Sequence, residues 1–279
     1  MTLPLRLVLG ALLSLGVALA AYRARSLARS GVVGAVLTGT LIVGLGGWAW
    51  GLALIAFFVS SSLLTRYRRE RKAALEALAA KGGRRDLGQA LGNGGLAALL
   101  AVLAAALPHP AWAAAFAGAL AAATADTWAT EIGTLSPTPP RRITTGQQVA
   151  PGTSGGVTRW GMLAAASGAL FLGTVFYLLN LAECRWIGWD CLPSAASSWP
   201  ILPVALAGGL AGSGADSFLG ATWQGVYRCP RCGRETERRI HCGGPAEPQR
   251  GWPWLTNDGV NFIATLVGAA VAGGLTFVC

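Results

Sequence analysis

The chain has 279 residues, of which 53% are hydrophobic and only 12% charged, and its mean hydropathy is +0.51. A soluble domain carries about 25% charged residues, so this composition excludes a water-dressed globule and reads as an integral membrane protein. The net charge of +10 is an orientation signal that also suits anionic lipid. It is no nucleic-acid footprint, because the basic residues sit in short clusters between apolar runs.

A run of about 20 apolar residues crosses the hydrocarbon core as a helix. In chain order the runs predict eight spans, at 3–22, 31–46, 47–65, 88–107, 111–130, 159–180, 200–222 and 258–278. The expected fold is an all-α polytopic transmembrane bundle, one membrane domain over 1–279 with no soluble domain. Spans two and three form one apolar run and are divided at Gly46-Gly47, because an undivided helix would overshoot the bilayer. The first run could also be a secretory leader, since Ala18-Leu19-Ala20 has the small-residue form of a cleavage site. Arg23, Arg25 and Arg29 follow that run while Arg6 lies within its start, which favours a retained helix.

Segments 23–30, 66–86, 131–159 and 223–257 hold 20 of the 22 Lys and Arg residues. All four fall on one side of an eight-span map. By the positive-inside rule that side is cytosolic, so both termini face outward. Segment 66–86 reads first as a basic amphipathic helix on the inner leaflet, with Lys72 and Glu76 as an i,i+4 pair. Lys72 and Arg85 also stand where they could meet a phosphate. Loop 181–199 carries Cys184 and Cys191, which an exported loop could leave as thiols or join as a disulfide.

A weak internal repeat is present. Ala117-Gly118-Ala119-Leu120 precedes Ala125-Asp126-Thr127, and Ala207-Gly208-Gly209-Leu210 precedes Ala215-Asp216-Ser217 at the same spacing. Asn93 opens the fourth span much as Asn261 opens the eighth. Repeats commonly build a site between two halves of a membrane protein, though Ala/Gly-rich helices also resemble one another by chance.

Four acids lie in or at the ends of apolar runs: Asp126, Glu131, Asp216 and Asp258. A charge at the bilayer centre costs about 2.5–3.5 kcal/mol on insertion scales, and none of the four has a basic neighbour in its own helix. All four fall near the expected cytosolic helix ends, in hydroxyl and amide company. Such oxygens suit a hard cation such as Mg²⁺. Asp126 and Glu131, five residues apart, could share one only if the helix frays near Gly133.

Residues 150–158, Ala-Pro-Gly-Thr-Ser-Gly-Gly-Val-Thr, lead into the sixth span. Glycines let several N–H groups point at one anion, and a helix N-terminus adds partial positive charge. No Lys-Ser/Thr follows, so this is not a Walker A loop. Arg141, Arg142, Thr144 and Thr145 lie just upstream. Cys229-Pro-Arg-Cys232 followed by His241-Cys242, in the loop 223–257, suits structural Zn²⁺, although adjacent His and Cys ligands are awkward. The chain has only two His, His109 and His241, so no Ser-His-Asp or Cys-His set can be assembled on one side.

The run Ala125-Asp126-Thr127-Trp128-Ala129-Thr130-Glu131-Ile132-Gly133 continues through Pro140-Arg141, Ile143-Thr144-Thr145 and Pro151-Gly152-Thr153-Ser154-Gly155-Gly156-Val157. Gly214-Ala215-Asp216-Ser217, Gly220-Ala221-Thr222 and Asn257-Asp258-Gly259-Val260-Asn261 follow. Together these resemble the integral-membrane family that includes plant phytyl-phosphate kinase and vertebrate transmembrane protein 19, from about Ser30 to the C-terminus. The resemblance implies phosphorylation of a prenyl monophosphate to the diphosphate, with CTP or another nucleoside triphosphate as donor.

On that reading Asp126, Glu131, Asp216 and Asp258 would hold Mg²⁺. Gly152, Thr153, Ser154, Gly155 and Gly156 would cradle phosphate, and Arg141 and Thr145 would bind the donor or transferred phosphate. Asn93, Asn257 and Asn261 would position groups at the helix mouths, beside Lys72 and Arg85. The alternatives are a cytidylyltransferase forming a CDP-lipid, which would use the same parts, and a transporter of an anionic substrate.

Overall fold

A computed structural model describes residues 2–186 and 201–277, without the side chains of Ala74 and Glu76. Among these residues the chain forms a helical bundle. In chain order its helices are α1 (Leu3–Arg23), α2 (Arg29–Leu41), α3 (Trp48–Arg66), a short α4 (Arg69–Glu76), α5 (Leu87–Ala106), α6 (Pro110–Gly133), α7 (Arg159–Trp186), α8 (Ile201–Thr222) and α9 (Asn257–Leu275). A π-helical turn, Ile42–Gly46, ends α2, and Gly47 at φ +95° redirects the chain into α3. The break therefore falls where the sequence placed it, at the residue type that tolerates a left-handed backbone. At this end the Glu183 carboxylate accepts the Trp48 and Ala49 N–H groups at 3.1 and 2.9 Å, capping α3.

Among the described residues seven helices are long and apolar enough to cross a membrane: α1, α2 with its π turn, α3, α5, α7, α8 and α9. The remaining expected span, 111–130, is α6. It has 24 residues, about 36 Å at 1.5 Å per residue, but its Ala-rich sequence falls short in apolarity. The reason is its position. Every residue from Ala115 to Ala125 is buried, because α6 packs on α3, α5, α7, α8 and α9. A helix sheathed by other helices needs small residues for close approach more than it needs lipid-compatible side chains. The large exposed apolar residues lie instead on peripheral helices, such as Leu12, Leu63 and Leu163. Trp50, Phe116 and Phe176 form a fully buried aromatic cluster, with Trp50–Phe116 centroids 4.1 Å apart.

α6 and α8 cross at glycines. A Cβ built on Gly208 would lie 3.0 Å from Gly118 Cα and 2.7 Å from the Gly268 carbonyl oxygen of α9. The corresponding glycines of the sequence repeat thus meet. α5 and α9 pack similarly, since a Cβ on Gly92 would lie 2.8 Å from the Asp258 carbonyl oxygen.

The four basic segments gather at one end of the bundle. Ala28 N–H donates to Arg85 O (2.9 Å), Thr236 Oγ1 to Leu78 O (2.7 Å) and Arg250 Nη1 to Gly220 O (2.6 Å). Seven short strands lie in these segments. β1 (Arg141–Arg142) pairs antiparallel with β2 (Gly156–Val157). β3 (Val226–Arg228) pairs antiparallel with β4 (Glu235–Thr236) and with β7 (Glu247–Arg250). β5 (Ile240–His241) pairs with β6 (Gly244–Pro245). The segment 223–257 is therefore a folded β lobe seated on the helix ends, which helical periodicity could not foretell. His109 and Phe277 stack at 5.5 Å, at the opposite end of α6 from Gly133. Cys184, near the end of α7, is disulfide-bonded. Cys191 lies outside the described residues.

Candidate functional site

A cavity of about 1290 Å³ opens at the end where the basic segments meet. Its walls include Asp126 and Thr127 of α6, Ser213, Asp216 and Ser217 of α8, and Asn257 and Asn261 of α9. Asn93 of α5, Arg85, and Gly152 to Gly156 complete it.

The carboxyl groups of Asp126 and Asp216 lie within hydrogen-bonding reach of each other. The helix crossing explains why. Asp126 follows Gly118 by eight residues and Asp216 follows Gly208 by eight, about 12 Å of rise on each helix, so helices running the same way from one contact bring both acids to one level. Asp216 Oδ2 is buried with no hydrogen-bond partner among the described residues. Two adjacent carboxylates repel, and a hard cation between them relieves the repulsion. The pair therefore fits Mg²⁺, with hydroxyls of Thr127, Ser213 and Ser217 on the same wall.

The other two acids are paired with lysines, although Glu131 also lines the cavity. Glu131 Oε2 accepts from Lys72 Nζ at 2.5 Å and Oε1 from Thr65 Oγ1 at 2.6 Å. α6 continues unfrayed to Gly133, so Glu131 is not turned toward Asp126. The expected sharing of one cation by all four acids is not the arrangement found, because Lys72 of α4 and Lys81 of the loop before α5 pair with Glu131 and Asp258. Asp258 Oδ2 pairs with Lys81, which also bonds Asp86 Oδ1 at 2.8 Å. Asp258 does not line the cavity. Lys72 is itself buried, 4% exposed. Lys72 thus ties α4 to α6 through Glu131.

Outside the spans, charge placement is tight. Burial would raise the Asp86 carboxyl, but hydrogen bonds from Lys81 and the Gln89 N–H outweigh it and hold the group below its usual range. Lys81 is likewise opposed by burial, yet its bonds to Asp258 and Asp86 raise it above its usual value. Asp86 caps α5 by accepting the Gln89 N–H at 3.0 Å. This cap fixes the neighbouring Arg85, whose guanidinium donates to Ser62 Oγ at 3.1 Å and lies over the Phe57 and Phe58 rings. Burial lowers the Arg85 pKa to about 10, which still leaves it cationic at neutral pH. Arg85 makes no ion pair within contact distance among the described residues, though the Glu131 carboxylate attracts it, and it lines the cavity wall.

The Gly-rich loop is held from outside. Gly152 and Gly155 have φ of +87° and +78°, and a Cβ on Gly155 would run into the Ala221 backbone. Ser154 Oγ donates to Glu237 Oε1 at 3.0 Å, and Arg250 Nη2 to Ser154 O at 3.2 Å. Neither the Ser154 nor the Gly155 N–H enters the loop's backbone hydrogen bonds. Thr158 caps α7, its Oγ1 accepting from Gly161 N–H at 2.9 Å. A left-handed, glycine-shaped turn before a helix N-terminus has the form that can hold an anion.

Arg141 and Thr145 lie elsewhere. Both are exposed and absent from the cavity wall, and the Arg141 guanidinium donates to Gly146 O at 2.8 Å. Their expected place beside the phosphate is corrected: Pro139, Pro140 and Ile143 of this segment reach the cavity wall, whereas Arg141 is turned onto its own hairpin turn at Gly146. Arg159, Lys81, Gln224 and Glu237 line the cavity although no motif marked them. The one available signal was Arg159, a cation directly after the loop at the start of a helix.

This arrangement accompanies a clear kinship. The family model "Integral membrane protein DUF92" matches residues 12–269. The chain belongs to this family. Protein PGR of Arabidopsis thaliana is 31% identical, over 94% of this chain and 93% of that protein. An "Uncharacterized membrane protein" of Methanocaldococcus jannaschii is 30% identical, over 96% of this chain and 93% of that one. Another from Synechocystis is 30% identical, over 82% and 74% respectively. No solved structure matches the chain.

At the outer edge of the β lobe, Cys229, Cys232, His241 and Cys242 place one ligand atom each within 4.8 Å of one another. The His241 ring, with backbone N–H groups at Cys232 and Arg231, lowers the Cys229 thiol to about 6.

Proposed function

We propose that this chain is a membrane-embedded phosphotransferase that converts a prenyl monophosphate and a nucleoside triphosphate, CTP in the first instance, into a prenyl diphosphate and a nucleoside diphosphate. The observation that carries this reading is the joining, in one cavity, of the Asp126–Asp216 pair, the glycine loop and the cations Arg85 and Arg159.

A phosphate monoester has a second pKa of about 6 and is already a nucleophile near neutral pH. It needs no catalytic His. Its oxygen attacks the donor's terminal phosphorus, and the bond to the bridging oxygen breaks to release the diphosphate. Repulsion between two polyanions is the obstacle, so positioning and charge neutralisation are the enzyme's task. Mg²⁺ held by Asp126 and Asp216 would supply charge neutralisation at the phosphates. The cradle N–H groups of Ser154 and Gly155 bind donor phosphate, with Arg159 beside them. Arg85 binds the acceptor phosphate, and Asn93, Asn257 and Asn261 orient it.

The acceptor's place at Arg85 is favoured by a second, narrow apolar cavity between α1, α2, α3 and α5. It shares Arg85, Gln89 and Asn93 with the large one. A lipid whose phosphate reaches Arg85 can leave its tail toward this crevice. The basic end is assigned to the cytosol, where nucleotides are, on the Lys/Arg bias. A C-terminal reporter that is active only in the cytosol should therefore stay silent.

The deciding assay uses purified protein, Mg²⁺, labelled CTP or ATP, and phytyl, geranylgeranyl and longer prenyl monophosphates. A metal-dependent prenyl diphosphate with release of CDP, lost in Asp126→Ala and Asp216→Ala, is expected. Pyrophosphate and a CDP-lipid would make the chain a cytidylyltransferase. No product from folded protein would return the weight to anion transport.

A further inference from the structure

The cysteine cluster is the strongest chemistry that the proposed reaction leaves unused. Its four ligand atoms lie within 4.8 Å of one another. His241 Nδ1 is 3.6 Å from Cys232 Sγ and 3.3 Å from Cys242 Sγ. Tetrahedral zinc with Zn–S near 2.3 Å and Zn–N near 2.0 Å sets its ligand atoms about 3.5 Å apart. The first pair forms a knuckle: Gly233, at φ +70°, donates its N–H to Cys229 O at 2.8 Å, and Cys229 N–H donates to Arg234 O at 3.0 Å.

The second pair resolves the difficulty of adjacent ligands. Cys242 has φ +52° and Gly243 φ +73°. A left-handed Cys is uncommon, and such strain persists only where surrounding structure compels it. Here it swings the Cys242 thiol back beside the ring of its own neighbour. Arg231 Nη1 donates to Cys242 O at 2.6 Å and braces this turn against the knuckle.

The cluster also lies at the root of the hairpin that holds the glycine loop. Cys229 follows β3 directly, and Glu235 and Glu237 lie in and just after β4. Glu235 accepts from Arg142 and Arg250, at 3.4 and 3.5 Å. Arg250 in turn holds Gly220 O and Ser154 O. Glu237 Oε1 accepts from Ser154 Oγ and from Gln224 Nε2. The same hairpin ties down the segment before Lys81, through Thr236 Oγ1 to Leu78 O and Arg238 Nε to Ala79 O.

We propose that Cys229 Sγ, Cys232 Sγ, His241 Nδ1 and Cys242 Sγ bind one structural Zn²⁺, and that this ion fixes the β3–β4 hairpin whose Glu235 and Glu237 hold the Gly152–Gly156 loop in shape. With four protein ligands the site is closed and keeps no position for water or substrate. None of its ligands lines the cavity, so the zinc acts on the loop through the hairpin. The proposal does not depend on phosphotransfer.

Full-length protein, purified in detergent without added chelator, is assayed for metal by mass spectrometry. One zinc per chain is expected, and Co²⁺ exchanged into the site should give the ligand-field absorption of tetrahedral thiolate cobalt. Hydrogen exchange is then followed in residues 150–158 before and after zinc is stripped. Exchange there should rise at least about tenfold while α6 and α8 stay protected. Glu237→Gln should retain zinc yet loosen the same loop. Protein without zinc and without the cobalt spectrum overturns the site, and this is decided on wild-type protein. Zinc whose removal leaves exchange at 150–158 unchanged overturns the coupling.

Discussion

Asp126 and Asp216 stand side by side because each lies eight residues beyond a glycine, Gly118 or Gly208, at which α6 and α8 touch. The acids' meeting is a consequence of close helix packing, and the packing is therefore the first thing to perturb. In Gly208→Ala the added methyl meets Gly118 Cα at 3.0 Å and Gly268 O at 2.7 Å. Both are backbone, so the helices must part. A loss of about 1–3 kcal/mol is expected, read as a lowered Tm in detergent. Transfer activity should fall further than stability does, since the carboxylates separate too. Gly214→Ala, where a Cβ would meet nothing within 4 Å, should leave the Tm in place.

Lys72 and Glu131 form a buried pair, 5% and 15% exposed in their side chains. Removing one partner strands the other, so Lys72→Met should cost about 3–5 kcal/mol. Adding Glu131→Gln should restore most of that. If Glu131 supports the fold and holds no metal, the double variant keeps the wild-type half-saturation for Mg²⁺. Loss of even an outer-shell metal partner would raise it about 10–100-fold. Such a rise in the double variant would return Glu131 to the metal.

The contacts of Lys81 with Asp258 and Asp86 make stability depend on pH at both extremes. Asp86 is held below its ordinary 3.8. Its contribution is present above that value and is lost as pH falls through the lowered one. Lys81 is held above its ordinary 10.5. Its contribution is complete below that value and is lost as pH rises through the raised one. Both groups are about a third exposed, which keeps the effect modest. Thermal unfolding should thus show no contribution from these contacts to pH dependence between about pH 5 and pH 10. Lys81→Met should flatten the alkaline limb.

Arg85 and Arg141 should behave oppositely. Arg85→Gln removes a cation from the cavity wall. A charge-assisted hydrogen bond is worth about 1.5–3 kcal/mol, so KM for the lipid phosphate should rise about tenfold to a hundredfold. Arg141→Ala removes a guanidinium bonded to Gly146 O outside the cavity, and KM should stay within about twofold. Steady-state kinetics on the two variants checks both, and a large effect at Arg141 would place the β1–β2 hairpin over the substrate.

Composition and apolar runs alone determined that the chain is a membrane bundle, because hydrocarbon admits only helices or closed barrels and demands about 20 apolar residues per crossing. The break at Gly46-Gly47 and the repeat of acids after glycines were legible for the same reason: they are local, short-range features. The tertiary structure alone decided which acids are paired with lysines. Glu131 and Asp258 look like Asp126 and Asp216 in sequence, but lysines 59 and 177 residues away claim them. It also decided that α6 is the sheathed centre of the bundle and that the Cys lobe supports the glycine loop. Partners so distant in sequence leave no periodic trace, and a carboxylate's role follows from whichever charge the fold brings within hydrogen-bonding distance of it.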